Sequence, residues 1–151
     1  MVNTRLTFVD TNVLAYAHDR SEAAKQPVAR ALLETLWRDR AGVLSTQVLQ
    51  ELHVVVTRKF DPPMPRSAAR ELVVLYGTWP VVQVDVPLVV AASELEERHT
   101  LSFWDALVLE GARRAGAARL VTKDLQPGRR IGGVTIENPF AERSARPTSG
   151  A

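Results

Sequence analysis

Four acidic side chains stand where the surrounding sequence is otherwise apolar or small. Asp10 follows an apolar run, Glu51 and Asp105 fall inside apolar helical stripes, and Asp124 follows a second short apolar run. Placing a carboxylate in such a stripe costs several kcal/mol unless something pairs with it. No Lys or Arg lies within those stripes, so the natural counter-ions are bound cations, and all-oxygen donors of this kind select Mg²⁺ or Mn²⁺. The chemistry such a set would support is metal-dependent phosphoryl transfer.

Each acid also has a structural alternative. Asp10, in Phe8-Val9-Asp10-Thr11-Asn12-Val13, can cap the helix that follows it. Glu51 is harder to place on a solvated face, because Val48, Glu51, Leu52 and Val55 make an i, i+3, i+4, i+7 set. Ser102-Phe103-Trp104-Asp105 matches a capping box, in which the acid reaches back to the cap amide. Yet Asp105 shares a stripe with Val108, Leu109 and Ala112, and a carboxylate in a first helical turn gains from the helix dipole while still offering an oxygen outward. Asp124, before Gln126-Pro127-Gly128, is ordinary turn chemistry. The convergence of all four is the signal.

Other candidates carry less. Glu110 pairs along its helix with Arg113 and Arg114, and Glu94, Glu96 and Glu97 read as helix surface. His18, His53 and His99 lack metal-ligand spacing. Phe103 and Trp104 read as core aromatics, the alternative being a place at the mouth of a site. Neither a Gly-rich phosphate loop nor a Ser or Cys nucleophile motif is present.

The elements that must position the acids follow from periodicity and punctuation. Apolar runs at 6–9, 43–45, 81–84, 119–121 and 134–136 read as strands. Helical stretches are expected at 12–17, 25–38, 46–59, 66–76, 87–98 and 103–115. Gly42, Gly77 and Gly116 stand past helix ends, and Pro27 and Pro87 suit first turns. Alternating strands and helices predict an α/β domain with a mostly parallel sheet covered on both faces. Ligands then bind beyond the strand C-termini, the rim that carries Asp10 and Asp124.

A chain of 151 residues makes one domain with a real core. We expect that domain at 1–140 and a flexible polar tail at 141–151. Zero cysteines exclude disulfides and thiolate zinc sites. The first residues lack a signal-peptide h-region, and Pro80, Gln83, Asp85 and Pro87 interrupt the longest apolar stretch, so a cytoplasmic protein with no membrane segment is expected. The net charge of +2 becomes more basic once four acids are drawn into one site, which suits a polyanion over an acidic centre. An arginine-rich coding composition, sixteen Arg against three Lys, accounts for the same bias.

Five blocks together resemble the PIN-domain ribonucleases, most closely the VapC toxins of toxin–antitoxin pairs. They are Val9-Asp10-Thr11-Asn12-Val13-Leu14, Ser45-Thr46-Gln47-Val48-Leu49-Gln50-Glu51, Leu101-Ser102-Phe103-Trp104-Asp105-Ala106-Leu107, Leu120-Val121-Thr122-Lys123-Asp124-Leu125 and Ile136-Glu137-Asn138-Pro139-Phe140. The resemblance implies a sheet ordered 3-2-1-4-5 and Mg²⁺- or Mn²⁺-dependent endonucleolytic cleavage of RNA. It also implies a homodimer and inhibition by a VapB-type antitoxin protein. By the same resemblance Asp10, Glu51, Asp105 and Asp124 are catalytic residues and metal ligands, with Asn12 and Thr122 as supporting polar groups. Members of the family differ at the fourth acid and the residues after it; here Gln126 follows Asp124, which puts a second, more weakly held metal in doubt.

Arg58, Lys59, Lys123, Arg129 and Arg130 flank these elements and are candidates for holding RNA. The rival readings are a housekeeping PIN nuclease in RNA processing, an aspartyl-phosphate phosphatase, a receiver-type domain and an inactive binding module. The phosphatase expects a second Asp where Asn12 stands, the receiver expects paired early acids, and the intact quartet opposes the inactive module.

Overall fold

The computed structural model describes residues 5–141. Its elements are β1 (Thr7–Val9), α1 (Thr11–His18), α2 (Lys25–Asp39), β2 (Gly42–Ser45), α3 (Thr46–Arg58), α4 (Arg66–Tyr76), β3 (Val81–Val82), α5 (Val86–His99), α6 (Phe103–Arg114), β4 (Arg119–Val121), β5 (Arg130–Ile131) and β6 (Val134–Glu137). The strands form one sheet in the order β3-β2-β1-β4-β6-β5. Every neighbouring pair is parallel except β5 with β6, which is antiparallel. The expected five-strand order is therefore found as β3-β2-β1-β4-β6, extended at one edge by β5.

That extra strand is only two residues long and lies between Gly128 and the pair Gly132-Gly133, all three at positive φ. They fold the chain back into a hairpin against β6, a turn chemistry that needs glycine. The third strand is shorter than expected because the amide of Val84 turns away from the ladder to the hydroxyl of Thr46. Helix α2 is ended by Arg40 in the left-handed region rather than by Gly42. Gly42 opens β2 instead, where a Cβ would run into the ring of Trp79.

The sheet is buried on both faces, as parallel sheets are. Phe8, Val9, Val43, Leu44, Leu120 and Ile136 make its fully covered centre. Gly111 lets α6 lie close over Phe8: an added Cβ there would stand 3.4 Å from the ring. Helices α5 and α6 are joined end to end by Arg114, which donates at 2.7 Å to Asp85, the N-cap of α5, and the guanidinium holds that carboxyl below its ordinary range. Among the described residues no helix is long and apolar enough to cross a membrane. The expected tail lies, apart from Ala141, outside the described residues.

Candidate active site

Strand β1 ends at Val9, and Asp10 begins the next helix. Its Oδ1 accepts the amide of Thr11 at 2.7 Å, so it is indeed the N-cap of α1. Its Oδ2 accepts the hydroxyl of Thr122 at 2.7 Å. Thr122 stands just beyond β4, the strand beside β1, and is itself fully buried. The cap thus uses one oxygen of Asp10, and the other is held by Thr122.

Asp10 is 7 % exposed. Burial pushes its carboxyl up from the ordinary value to about 6; the bonds from Thr122 and Thr11 oppose that rise, and the charges of Glu51 and Asp124 add to it. None of the groups acting on it is a cation. Two like charges thus face a buried carboxylate, an arrangement that a bound cation would relieve.

The acids share one cleft of about 750 Å³, lined by Asp10, Glu51, Asp105 and Asp124. Helix α1 presents Thr11, Asn12, Ala15 and Tyr16 to it, with its C-cap Asp19 beyond, and α3 presents Gln47, Gln50, Glu51, Val54 and Val55. These are single helical faces, repeating every three to four residues. Glu51 sits at the seam of α3 where the buried stripe of Val48, Leu52 and Val56 meets the cleft face, which is why it reads as part of an apolar stripe. Its Oε1 accepts the hydroxyl of Thr11 at 3.1 Å.

Asp105 forms half of the anticipated capping box. Its amide donates to Ser102 Oγ at 3.1 Å, which caps α6. The hydrogen bonds found among the described residues leave its carboxylate outside the cap, and it lines the cleft. Asp124 is exposed on the rim. Its Oδ2 accepts Asn12 Nδ2 at 3.0 Å, while Asn12 Oδ1 accepts the amide of Lys123 at 3.2 Å and the amide of Asp124 donates to Thr122 Oγ1. Both supporting residues are therefore in contact with the acids.

The five basic candidates divide. Lys59 lines the cleft, and Lys123 lies over the ring of Tyr16, itself a lining residue, at 5.6 Å. Tyr16 beside it, with Asp124 and Glu22, holds the Lys123 ammonium above its ordinary range. Arg58, Arg129 and Arg130 do not line the cleft, and Arg130 belongs to the edge strand β5. Residues the sequence reading missed include Thr11, Gln47, Tyr16 and Lys25, whose ammonium lies 5.4 Å from the Tyr16 ring. The one signal that could have found Thr11 and Gln47 is their spacing from assigned acids, one position after Asp10 and one turn before Glu51.

Among the described residues no three carboxylate or imidazole groups converge closely enough to hold one ion by themselves. The donor set still fits Mg²⁺ or Mn²⁺ in kind, since Mg²⁺ keeps several of its waters and takes one or two carboxylates from the protein. Asp10 is the buried member of that set.

A mostly parallel sheet with acids gathered beyond the ends of its central strands defines a nuclease-like α/β domain, and residues 7–131 match the PIN domain family. The chain belongs to that family. It is 32 % identical over 123 residues to ribonuclease VapC23 of two strains of Mycobacterium tuberculosis, covering 79 % of this chain and 93 % of the relative. Its fold is similar to that of the toxin–antitoxin complex from Klebsiella pneumoniae, with a TM-score of 0.63, 18 % identity and coverage of 88 % of this chain and 97 % of that one. It is also similar to Mycobacterium tuberculosis VapC20, a sarcin–ricin loop cleaving toxin, with a TM-score of 0.55, 23 % identity and coverage of 76 % and 86 %.

Proposed function

We propose that this protein is a metal-dependent endoribonuclease, the toxin of a VapBC-type pair. The observation that carries the reading is Asp10: a carboxylate buried in the cleft, flanked by Glu51 and Asp124 and, among the described residues, lacking a cationic side-chain partner. Asp10, Glu51, Asp105 and Asp124 are its proposed catalytic residues and would hold Mg²⁺ or Mn²⁺. When bound, the cation supplies Lewis acidity at the phosphodiester and at the attacking water.

The chain's own groups do the remaining work. Thr122 fixes one oxygen of Asp10, Thr11 fixes one oxygen of Glu51, and Asn12 holds Asp124 on the rim. Lys59 and Lys123 attract the phosphate backbone. With water adding to phosphorus and the bond to the 3′ oxygen breaking, the products carry 5′-phosphate and 3′-hydroxyl ends.

The same reading makes a VapB-type antitoxin the protein partner, in keeping with the likeness to VapC23 and to the Klebsiella complex. It also makes the chain a homodimer. A cytoplasmic location belongs to this proposal, because RNA and an antitoxin are both met there.

Incubating the purified protein with an end-labelled RNA pool, with Mn²⁺ or with EDTA, tests the activity. Cleavage with Mn²⁺ and none with EDTA is expected, and equal cutting in both overturns the metal site.

A further inference from the structure

Trp104 is the most exposed aromatic side chain among the described residues, with 62 % of its surface open. An indole left in water adds little packing to the fold. This one lies in the first turn of α6, next to Asp105, and lines the same cleft as the four acids. It is also held in place. Gln47, itself only 5 % exposed, donates to the Trp104 carbonyl at 3.3 Å and so ties α6 to α3 at the level of the site. The ring of Phe103 meets the indole edge to face with centroids 5.6 Å apart, and Phe103 in turn packs on the core.

We propose that Trp104 is the stacking platform for one unpaired nucleobase beside the scissile phosphate. The inference rests on the nuclease reading above and adds the feature of the substrate that the site recognises. Every base has a π face, so an indole takes any of them provided the base is free to leave its neighbours. In a duplex the bases are already paired and stacked, and exposing one costs free energy that a loop does not have to supply.

The topology gives the strand a track. Gln47 belongs to α3, which follows β2, whereas Lys123 and Asp124 follow β4, and β2 and β4 flank β1 on opposite sides. Trp104 is thus tied to one side of Asp10, while Lys25 and Lys123, gathered around Tyr16, lie toward the other. RNA crossing the acids meets an aromatic surface on the first side and the Lys123 ammonium, beside Tyr16, on the second.

The test uses Trp104→Ala and Trp104→Phe in the full chain, with matched single-stranded oligoribonucleotides that are either complete or carry one abasic site next to the cut. With Mn²⁺ and complete RNA, Trp104→Ala should raise KM by about 5- to 150-fold, the range that base–aromatic stacking supports. Trp104→Phe, which keeps a ring, should stay within a few-fold of wild type. On abasic RNA wild type should fall to the level of Trp104→Ala, and the variant should lose nothing further. In EDTA, complete RNA should quench the fluorescence of wild type but not of Trp104→Phe.

An unchanged KM in Trp104→Ala, or an abasic penalty equally large in that variant, overturns the platform. So does a result in which Trp104→Ala alters only association with a second protein. If wild type cleaves no RNA at all, the nuclease reading fails by itself, and the quenching comparison decides the platform independently.

Discussion

The hydroxyl of Thr122 reaches Oδ2 of Asp10 at 2.7 Å across the junction between β1 and β4, joining residues 112 positions apart. Thr122 Oγ1 also accepts the amide of Asp124. One buried hydroxyl therefore orients the floor of the acidic cleft and fixes the backbone of the residue on its rim.

Without metal, Asp10 should weaken the fold at neutral pH. Its folded value of about 6 exceeds the ordinary 3.8, so the folded state holds the proton more tightly. That stabilisation is fully present below the unfolded value and is lost as pH rises through about 6. Asp10→Asn mimics the protonated group and keeps a good cap. In EDTA at pH 7 the variant should be more stable than wild type by on the order of 3 kcal/mol, and the difference should shrink toward zero near pH 4. Denaturant titrations of both proteins across this range provide the measurement.

Thr122→Val should lower kcat by about 10- to 100-fold, the usual cost of losing a group that orients a metal-binding carboxylate. It should also destabilise the chain by about 1–3 kcal/mol, since the buried partners of the hydroxyl are left without it. The Thr122 bond lowers the pKa of Asp10, so the acid limb of the rate profile should move to higher pH. An unmoved limb with the same loss of stability would assign Thr122 a structural role alone.

Ser102 and Asp105 separate helix capping from site chemistry. The cap uses the Asp105 amide, which substitution of the side chain retains. Asp105→Asn keeps that bond and should change stability in EDTA by no more than about 1 kcal/mol, yet lose cleavage. Ser102→Ala should cost about 1 kcal/mol and keep the response to metal. At ~100 times its dissociation constant, Mn²⁺ should stabilise wild type and Ser102→Ala by roughly 2.7 kcal/mol, and Asp105→Asn by much less. Thermal melts with and without Mn²⁺ resolve the three proteins, and equal Mn²⁺ shifts in all of them would remove Asp105 from the ligands.

Asn12→Ala removes both bonds that tether the segment after β4, one to Asp124 and one to the Lys123 amide. Both lie near solvent, so stability should change by no more than about 1 kcal/mol. Cleavage should fall by about tenfold or more. Full activity in this variant would show that Asp124 needs no such tether.

The helices were legible from the 3.6-residue period of their apolar residues, and the central strands as short continuous apolar runs, the mark of a sheet covered on both faces. Strand β5 was not, being two residues long and defined by the glycines that turn the chain around it rather than by its own pattern. Among the site residues, the acids stood out because charge in an apolar stripe is conspicuous. Thr11, Gln47 and Tyr16 carry no such contrast: a hydroxyl or amide on a helix reads as surface until a neighbouring element is seen to close over it. Trp104 was ambiguous for the opposite reason. Its apolar neighbours in α6 suggested a core position, and only the docking of α3 reveals which side of that helix faces the cleft. Arg58, Arg129 and Arg130 were chosen by proximity in sequence, which does not determine direction in space.

The placement of β1 between β2 and β4 also sets when the site can exist during synthesis. Asp10 leaves the ribosome early, but its partner Thr122 and the rim acid Asp124 arrive only after β4, and β1 must wait for that strand to complete its pairing. A chain that stops before β4 carries Asp10, Glu51 and Asp105 without the second edge that assembles them. Until β4 has been made, the chain therefore lacks both the hydroxyl that orients Asp10 and the acid on the rim of the cleft.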